Sequence, residues 1–245
     1  MQCVILAAGR GKRMGSLTDG APKALLEVSN KTLIEHKLDA LPEQIDEVII
    51  VVGYLGSVIH DYLGGSYGDK KLFYEEQDNI VGGTADALWQ AKNALSGKFL
   101  VMMGDDIYAH EDITRCLVPD DGWALLVQEV DGTHEGGIVV LDKDHHIREV
   151  AEGAHEGKGY ISANLFVLDT RIFDFPMLPK SAGSNEYGLP QTTLATAQKL
   201  GIPFYAVKTS SWVQISTPED LEKARKMLEK VDKGIKSGSS ENSDN

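Results

Sequence analysis

The chain is 245 residues long, 42% hydrophobic and 25% charged, with a formal net charge of −13 at pH 7. That length suits one large domain or two small ones with a sizeable core, and the acidic balance excludes a protein that wraps nucleic acid, which needs broad basic surface. No apolar run approaches the ~18–20 residues of a membrane span, no signal-like segment opens the chain, and Cys3 and Cys116 lie in apolar segments without metal-ligand spacing, so the sequence predicts a cytoplasmic protein with buried free thiols and no membrane partner.

The first element is an apolar run, Cys3 to Ala8. It feeds a loop with Gly9, Gly11, Gly15 and Gly20 that carries Arg10, Lys12, Arg13 and Lys23 against a single acid, Asp19. Glycines let backbone N–H groups approach an anion closely. Like charges gathered this tightly are costly without an anion to offset them. The loop therefore predicts a polyphosphate site, the alternative being an ordinary strand-to-helix connection. The spacing is not that of a P-loop. It also departs from the dinucleotide fingerprint, because Gly15 falls one position late and no acid fits the ribose position.

Further along, Lys31–Leu41 reads as a helix and Val48–Val52 as a buried strand. Gln77 to Leu88 reads as a loop entering a helix, Thr84–Leu95. Gln77 can offer a donor and an acceptor to a base edge, and Gly83 lets backbone reach the same edge. Thr84 is alternatively a simple N-cap, and Trp89 belongs in the core. The strand Phe99–Met103 ends in Gly104-Asp105-Asp106. Mg²⁺ prefers one or two carboxylates plus phosphate oxygens, a role that suits Asp105; Asp106 is assigned to a turn or helix cap.

Ala124–Val130, Gly137–Leu141, Ile161–Leu168 and Phe204–Val207 read as strands and Pro190–Leu200 as a helix. His145 and His146 read as a solvated turn, and His134 and His155 as loop residues. Thr217-Pro218-Glu219-Asp220 caps a last helix whose apolar stripe is Leu221, Ala224, Leu228 and Val231. From Gly234 to Asn245 the composition reads as a disordered tail. There is no internal repeat. The β–α alternation predicts an α/β fold, a Rossmann-like mixed, mostly parallel sheet flanked by helices. Ligands bind such sheets at the carboxyl ends of the strands, where the loop after Ala8 lies.

These features, in this order, resemble the sugar-1-phosphate nucleotidyltransferases. Leu6-Ala7-Ala8-Gly9-Arg10-Gly11-Lys12-Arg13-Met14, followed by Pro22-Lys23, resembles that family's opening signature. Gln77 with Gly83-Thr84-Ala85 resembles its base-reading loop, and Gly104-Asp105 its metal-binding Gly-Asp. The likeness continues through Gly136-Gly137-Ile138, Val150-Ala151-Glu152 and Trp212 to Leu221.

The resemblance implies a domain over 1–233, with 1–120 mainly nucleotide-binding and 121–210 mainly sugar-binding. It implies that Leu6, Ala8, Gly9 and Gly11 hold the nucleotide, that Arg13 and Lys23 neutralise phosphates, and that Gln77, Gly83 and Thr84 read the base. Asp105 would hold Mg²⁺ with Gln214, while Gly137, Glu152, Ser162 and Glu186 line a sugar pocket. Three positions depart from the family pattern. Gln214 stands where the family has Asp or Asn. Glu152-Gly153-Ala154 stands for Glu-Lys-Pro, with Lys158 a candidate substitute for the missing lysine. Ser162-Ala163-Asn164 stands for Asn-Ala-Gly. The expected partners are an NTP, UTP or dTTP by preference, and a sugar 1-phosphate, which would give an NDP-sugar and pyrophosphate. The altered positions leave two alternatives, a non-catalytic nucleotide-sugar sensor and nucleotidyl transfer to a non-sugar phosphate. Homo-oligomer formation is left open.

Overall fold

The computed structural model describes residues 1–117 and 121–238. In chain order the elements are β1 (Gln2–Leu6), β2 (Glu27–Val28), β3 (Lys31–Thr32), α1 (Leu33–Ala40), β4 (Glu47–Val52), α2 (Gly56–Leu63), β5 (Ser66–Tyr67), β6 (Lys70–Glu76), α3 (Gly83–Gln90), β7 (Lys98–Met103), β8 (Asp106–Tyr108), α4 (His110–Cys116), β9 (Trp123–Val130), β10 (His134–Leu141), β11 (Ile147–His155), β12 (Gly159–Asp169), α5 (Leu189–Leu200), β13 (Phe204–Lys208), β14 (Trp212–Gln214) and α6 (Pro218–Gly238). The fold is the expected α/β type, a large central sheet flanked by helices.

The sheet runs β11-β10-β12-β7-β1-β4-β6-β5, with β9 on β12 and β13 on β9. Strands β6, β4, β1 and β7 pair in parallel. Strand β12 then runs antiparallel to β7, β9 and β10. The parallel half thus points all its carboxyl ends one way, and the antiparallel strands extend the sheet past that rim.

Side-chain alternation distributes the apolar strands between two faces. Val4 and Leu6 of β1 join Phe99 and Val101 of β7 under α3 and α5, through Ala85, Leu88, Leu189 and Ala197. Cys3 and Ile5 face the other way with Leu100 and Met102, under Ile34 and Leu38 of α1, Ile59 of α2 and Ile113 of α4. Both cysteines are buried and free, as expected, and burial pushes each thiol well up. A third cluster joins Met14, Val28 and Leu33 to Ile215, Leu221 and Ala224. It fastens the glycine-rich loop to α6 and to the residue after Gln214.

Helix α1 begins at a reciprocal capping box between Thr32 and Glu35. Helix α6 begins as expected: Asp220 accepts from the Thr217 N–H at 3.0 Å, and Thr217 Oγ1 accepts from the Asp220 N–H at 3.3 Å. The α6 backbone runs to Gly238, so residues 234–238, read from composition as tail, continue the helix. Residues 239–245 of that tail lie outside the described residues. His134 and His155, read as loop residues, sit opposite each other in the β10–β11 ladder. The elements α2, β6, α4 and β11 had no clear signal in the sequence. No helix among the described residues is long and apolar enough to cross a membrane.

Candidate active site

Parallel strands deliver their ends to one point. The Gly104 N–H donates to the Leu6 carbonyl at 2.8 Å, and the Tyr54 N–H to the Ala8 carbonyl at 3.0 Å. Gly104 is needed there, because a Cβ would lie 2.7 Å from the Leu6 oxygen and 2.9 Å from the Ala7 Cα. This packs the Asp105 turn directly against the end of β1. The loop after β1 folds into 3-10 turns from Lys12 to Thr18, held by Thr18 Oγ1 on the Gly11 and Gly15 carbonyls.

A cavity of about 670 Å³ opens at this rim. Leu6, Ala8, Gly9, Gly11, Arg13 and Lys23 line it, with Gln77, Gly83 and Thr84, with Asp105 and Gln214, and with Gly137, Glu152, Ser162 and Glu186. The sequence-derived candidates, scattered from residue 6 to residue 214, therefore share one cavity. Lys12 also lines it, whereas Arg10 does not and stacks over the Tyr54 ring at 5.2 Å.

The tightest contact in the cavity joins Lys23 and Asp105. Lys23 Nζ lies 2.6 Å from Asp105 Oδ2, with the lysine side chain 10% exposed and the aspartate 36%. A nearly buried ammonium and an open carboxylate neutralise each other while facing the same space. Asp105 and Gln214 offer hard oxygen donors to that space, and an ion held by few protein ligands completes its shell with water and phosphate oxygens. The donor set fits Mg²⁺. A second acidic group, Asp142, Asp144 and His146, lies outside the cavity. There Asp142 already accepts from the backbone N–H groups of Asp144 and His146 and from Arg148, so the turn expected at His145 and His146 is a self-satisfied one.

Asp106 is not the turn or cap residue expected. It is 1% exposed within β8. The Tyr108 hydroxyl lies 3.1 Å from its Oδ2. Burial, reinforced by the neighbouring Asp105 charge, pushes its carboxyl up. Burial pushes the facing Lys37 ammonium down, against the pull of Asp106. Asp106 pairs with Gln214 in the β8–β14 ladder. The ladder thereby sets the Gln214 strand beside Asp105.

Thr84 is not an N-cap either. Gly82 holds that position, and Thr84 Oγ1 accepts the Leu189 N–H at 3.0 Å. The Tyr187 N–H donates to the Gly82 carbonyl at 2.8 Å, and the Ala85 N–H to the Tyr187 carbonyl at 3.1 Å. Gly83 sits in this clasp with φ +89, and a Cβ would fall 2.5 Å from the Tyr187 oxygen. The candidate base loop is thus bolted to residues 187–189, next to Glu186. Gln77 also differs from expectation. The sequence predicts a donor and an acceptor there for a base, but Gln77 Nε2 is committed to Asp86 Oδ2 at 2.7 Å and the Gly83 carbonyl at 3.3 Å.

On the opposite wall, Glu152 Oε2 lies 3.6 Å from Lys180 Nζ. Lys180 lines the cavity and Lys158 does not. The backbone fixes Lys180, whose N–H donates to the Glu186 carbonyl at 2.8 Å. Nothing near Lys180 in the chain marks it; only the fold brings it to Glu152. Ser162 Oγ is engaged with Asn164, at 3.1 Å from both its Oδ1 and its N–H.

A family model described as nucleotidyl transferase matches residues 2–231. The chain belongs to the nucleotidyl transferase family. Within that family it is 28% identical over 245 residues to the bifunctional protein GlmU of Methanocaldococcus jannaschii, covering 99% of this chain but 58% of that protein, little more than half its length. It is 27% identical over 237 residues to the UTP–glucose-1-phosphate uridylyltransferase AglF of Haloferax volcanii, covering 94% of this chain and 97% of that one. A Bacillus anthracis protein assigned as a glucose-1-phosphate thymidylyltransferase and solved with sucrose superposes with a TM-score of 0.79 at 23% identity, over 93% of this chain and 94% of that one. At that identity the superposition shows a shared nucleotidyl transferase fold.

Proposed function

We propose that this chain transfers a nucleotidyl group from UTP or dTTP to a sugar 1-phosphate and releases pyrophosphate. The observation that carries the reading is the Lys23–Asp105 contact at 2.6 Å, placed in one cavity with Arg13 and Gln77 on one side and with Glu152 and Lys180 on the other. The family membership and the likeness to AglF support the same chemistry.

In this reading the acceptor phosphate oxygen attacks the α-phosphorus, and the bond to pyrophosphate breaks on the opposite side. The nucleophile is already an anion, so no general base is required. The obstacle is repulsion between two anions, and catalysis reduces to positioning and charge neutralisation. Lys12, Arg13 and Lys23 neutralise the donor phosphates. Gln77 and the backbone around Gly83 and Thr84 hold the base, while Gly9 and Gly11 let main-chain N–H groups approach the phosphates. Glu152 takes sugar hydroxyls and Lys180, beside it, meets the acceptor phosphate. Mg²⁺ held by Asp105 and Gln214 would supply positive charge to the phosphate oxygens. Residues 1–120 supply most of the nucleotide wall and 121–210 most of the acceptor wall.

The test is pyrophosphate release by the full chain, assayed with Mg²⁺ over a panel of NTPs and sugar 1-phosphates. Release with UTP or dTTP and at least one sugar 1-phosphate is the expected result. Nucleotide binding without release across the panel would leave only a binding role and refute the reading.

A further inference from the structure

Gln77 is 4% exposed, in the segment between β6 and α3. A carboxamide carries two N–H donors on its nitrogen and two acceptor positions on its oxygen. The two acceptors around Nε2, Asp86 Oδ2 at 2.7 Å and the Gly83 carbonyl at 3.3 Å, take both donors. The Oε1 oxygen accepts no hydrogen bond among the described residues, and Gln77 lines the cavity. A half-turn of the carboxamide would set Oε1 against the Asp86 carboxylate, acceptor on acceptor, and strand the Gly83 carbonyl. That arrangement is strongly disfavoured in a buried site.

Asp86 cannot easily withdraw. It lies in the first turn of α3. Its carboxylate packs against the Gly82 backbone, where a Cβ would lie 2.5 Å from Oδ2. The Tyr187 clasp on Gly82 and Ala85 fixes the start of that helix.

An unrestrained glutamine is ambidextrous. It can turn its oxygen to a ring N–H or its nitrogen to a ring lone pair. We propose that Asp86 is a positioning residue that determines base specificity. By holding both N–H groups of Gln77 it leaves a fixed acceptor facing the cavity, which takes bases with a ring N–H (uracil, thymine, guanine). The same oxygen opposes the ring-nitrogen lone pair of cytosine and adenine. This inference rests on the reading of the cavity as an NTP site.

The test measures binding, which does not depend on the acceptor. UTP, CTP and pyrophosphate, each with Mg²⁺, are titrated calorimetrically into the full chain and into Asp86→Ala and Asp86→Asn. The wild type is expected to favour UTP over CTP by about tenfold or more, the effect of one buried acceptor–acceptor clash. In Asp86→Ala that preference collapses to within about threefold as Gln77 regains its second orientation, while pyrophosphate affinity is unchanged. Asp86→Asn lowers the preference as well, because its carboxamide can turn with Gln77 and donate to Oε1, so it no longer imposes one orientation. An undiminished UTP/CTP ratio in Asp86→Ala, or a wild type that prefers CTP, overturns the inference and leaves nucleotidyl transfer standing. A wild type that binds neither nucleotide nor pyrophosphate refutes the underlying reading instead.

Discussion

Lys23 and Asp105 hold each other at 2.6 Å across the rim of the sheet. The pair makes each side chain's role depend on the other. In the proposed reaction a phosphate group approaching Lys23 would draw it from Asp105, and a cation approaching Asp105 would release Lys23. Ligands of opposite sign should therefore assist each other. Mg²⁺ alone should bind weakly, and the affinity of UTP should rise with Mg²⁺. In Lys23→Met, Mg²⁺ alone should bind more tightly than in the wild type, which calorimetry with MgCl₂ would show; weaker binding would contradict the coupling. Lys23→Ala should lower turnover by about 10²–10³, the usual effect of removing one charge that stabilises a transition state, and near wild-type turnover in a pyrophosphate-release assay would remove Lys23 from the mechanism. At this scale the sequence was informative where chemistry is local. Lys12, Arg13 and Lys23 share one glycine-rich loop, and that clustering is visible in the chain. Lys180 and Asp86 were not visible, because the contacts that single them out, with Glu152 and with Gln77, form only on folding. Arg10 was misleading for the converse reason: Tyr54, from a different segment, draws it aside.

Two element contacts hold the site's outer parts. Thr84 Oγ1 accepts the Leu189 N–H and joins the start of α3 to that of α5. Thr84→Val keeps the shape but strands that N–H, which should cost about 1–3 kcal/mol. Because the clasp carries Gln77's neighbours on one side and Glu186 on the other, KM should rise for both substrates. A change in only one KM would show that the two loops act independently. The second contact is Asp112 on α4. Its carboxylate is buried and accepts from Thr209 Oγ1, from Ser210 Oγ and N–H, and from the Ser211 N–H. Burial raises its pKa, but these hydrogen bonds outweigh burial and leave it below the usual value. The stabilisation is therefore fully present above the unfolded carboxylate pKa of about 4 and is lost as pH falls through the lower folded value. Asp112→Asn should be less stable than the wild type by roughly 2–3 kcal/mol at pH 7, with the gap in urea midpoint shrinking below about pH 4. A pH-independent gap would contradict the assignment. Continuous apolar strands such as β4, β7 and β9 were legible because both their faces are buried. The edge strand β11 and its counterpart β6 near the other margin were not. In β6 only the short run Leu72-Phe73-Tyr74 stands between two pairs of charges, and in β11 the apolar residues are broken up by Arg148, Glu149 and Glu152.

Over the whole molecule, the parallel half gathers strand ends into one rim and the antiparallel strands build the facing wall. That division explains why candidate residues from Leu6 to Gln214 line one cavity. The order of motifs along the chain carried the fold and the general position of the site. The facing wall depended on long-range register between β10, β11 and β12, which a single sequence does not display. In the proposed reaction an acceptor phosphate attacks a nucleotide's α-phosphorus in this cavity. The most direct test uses a sugar 1-phosphate labelled with ¹⁸O on its phosphate, incubated with UTP and Mg²⁺ and analysed by mass spectrometry. Every labelled oxygen should appear in the NDP-sugar and none in the released pyrophosphate, with the product lost in Asp105→Ala. Label in the pyrophosphate, or labelled NDP-sugar formed equally well by Asp105→Ala, would contradict the proposed reaction.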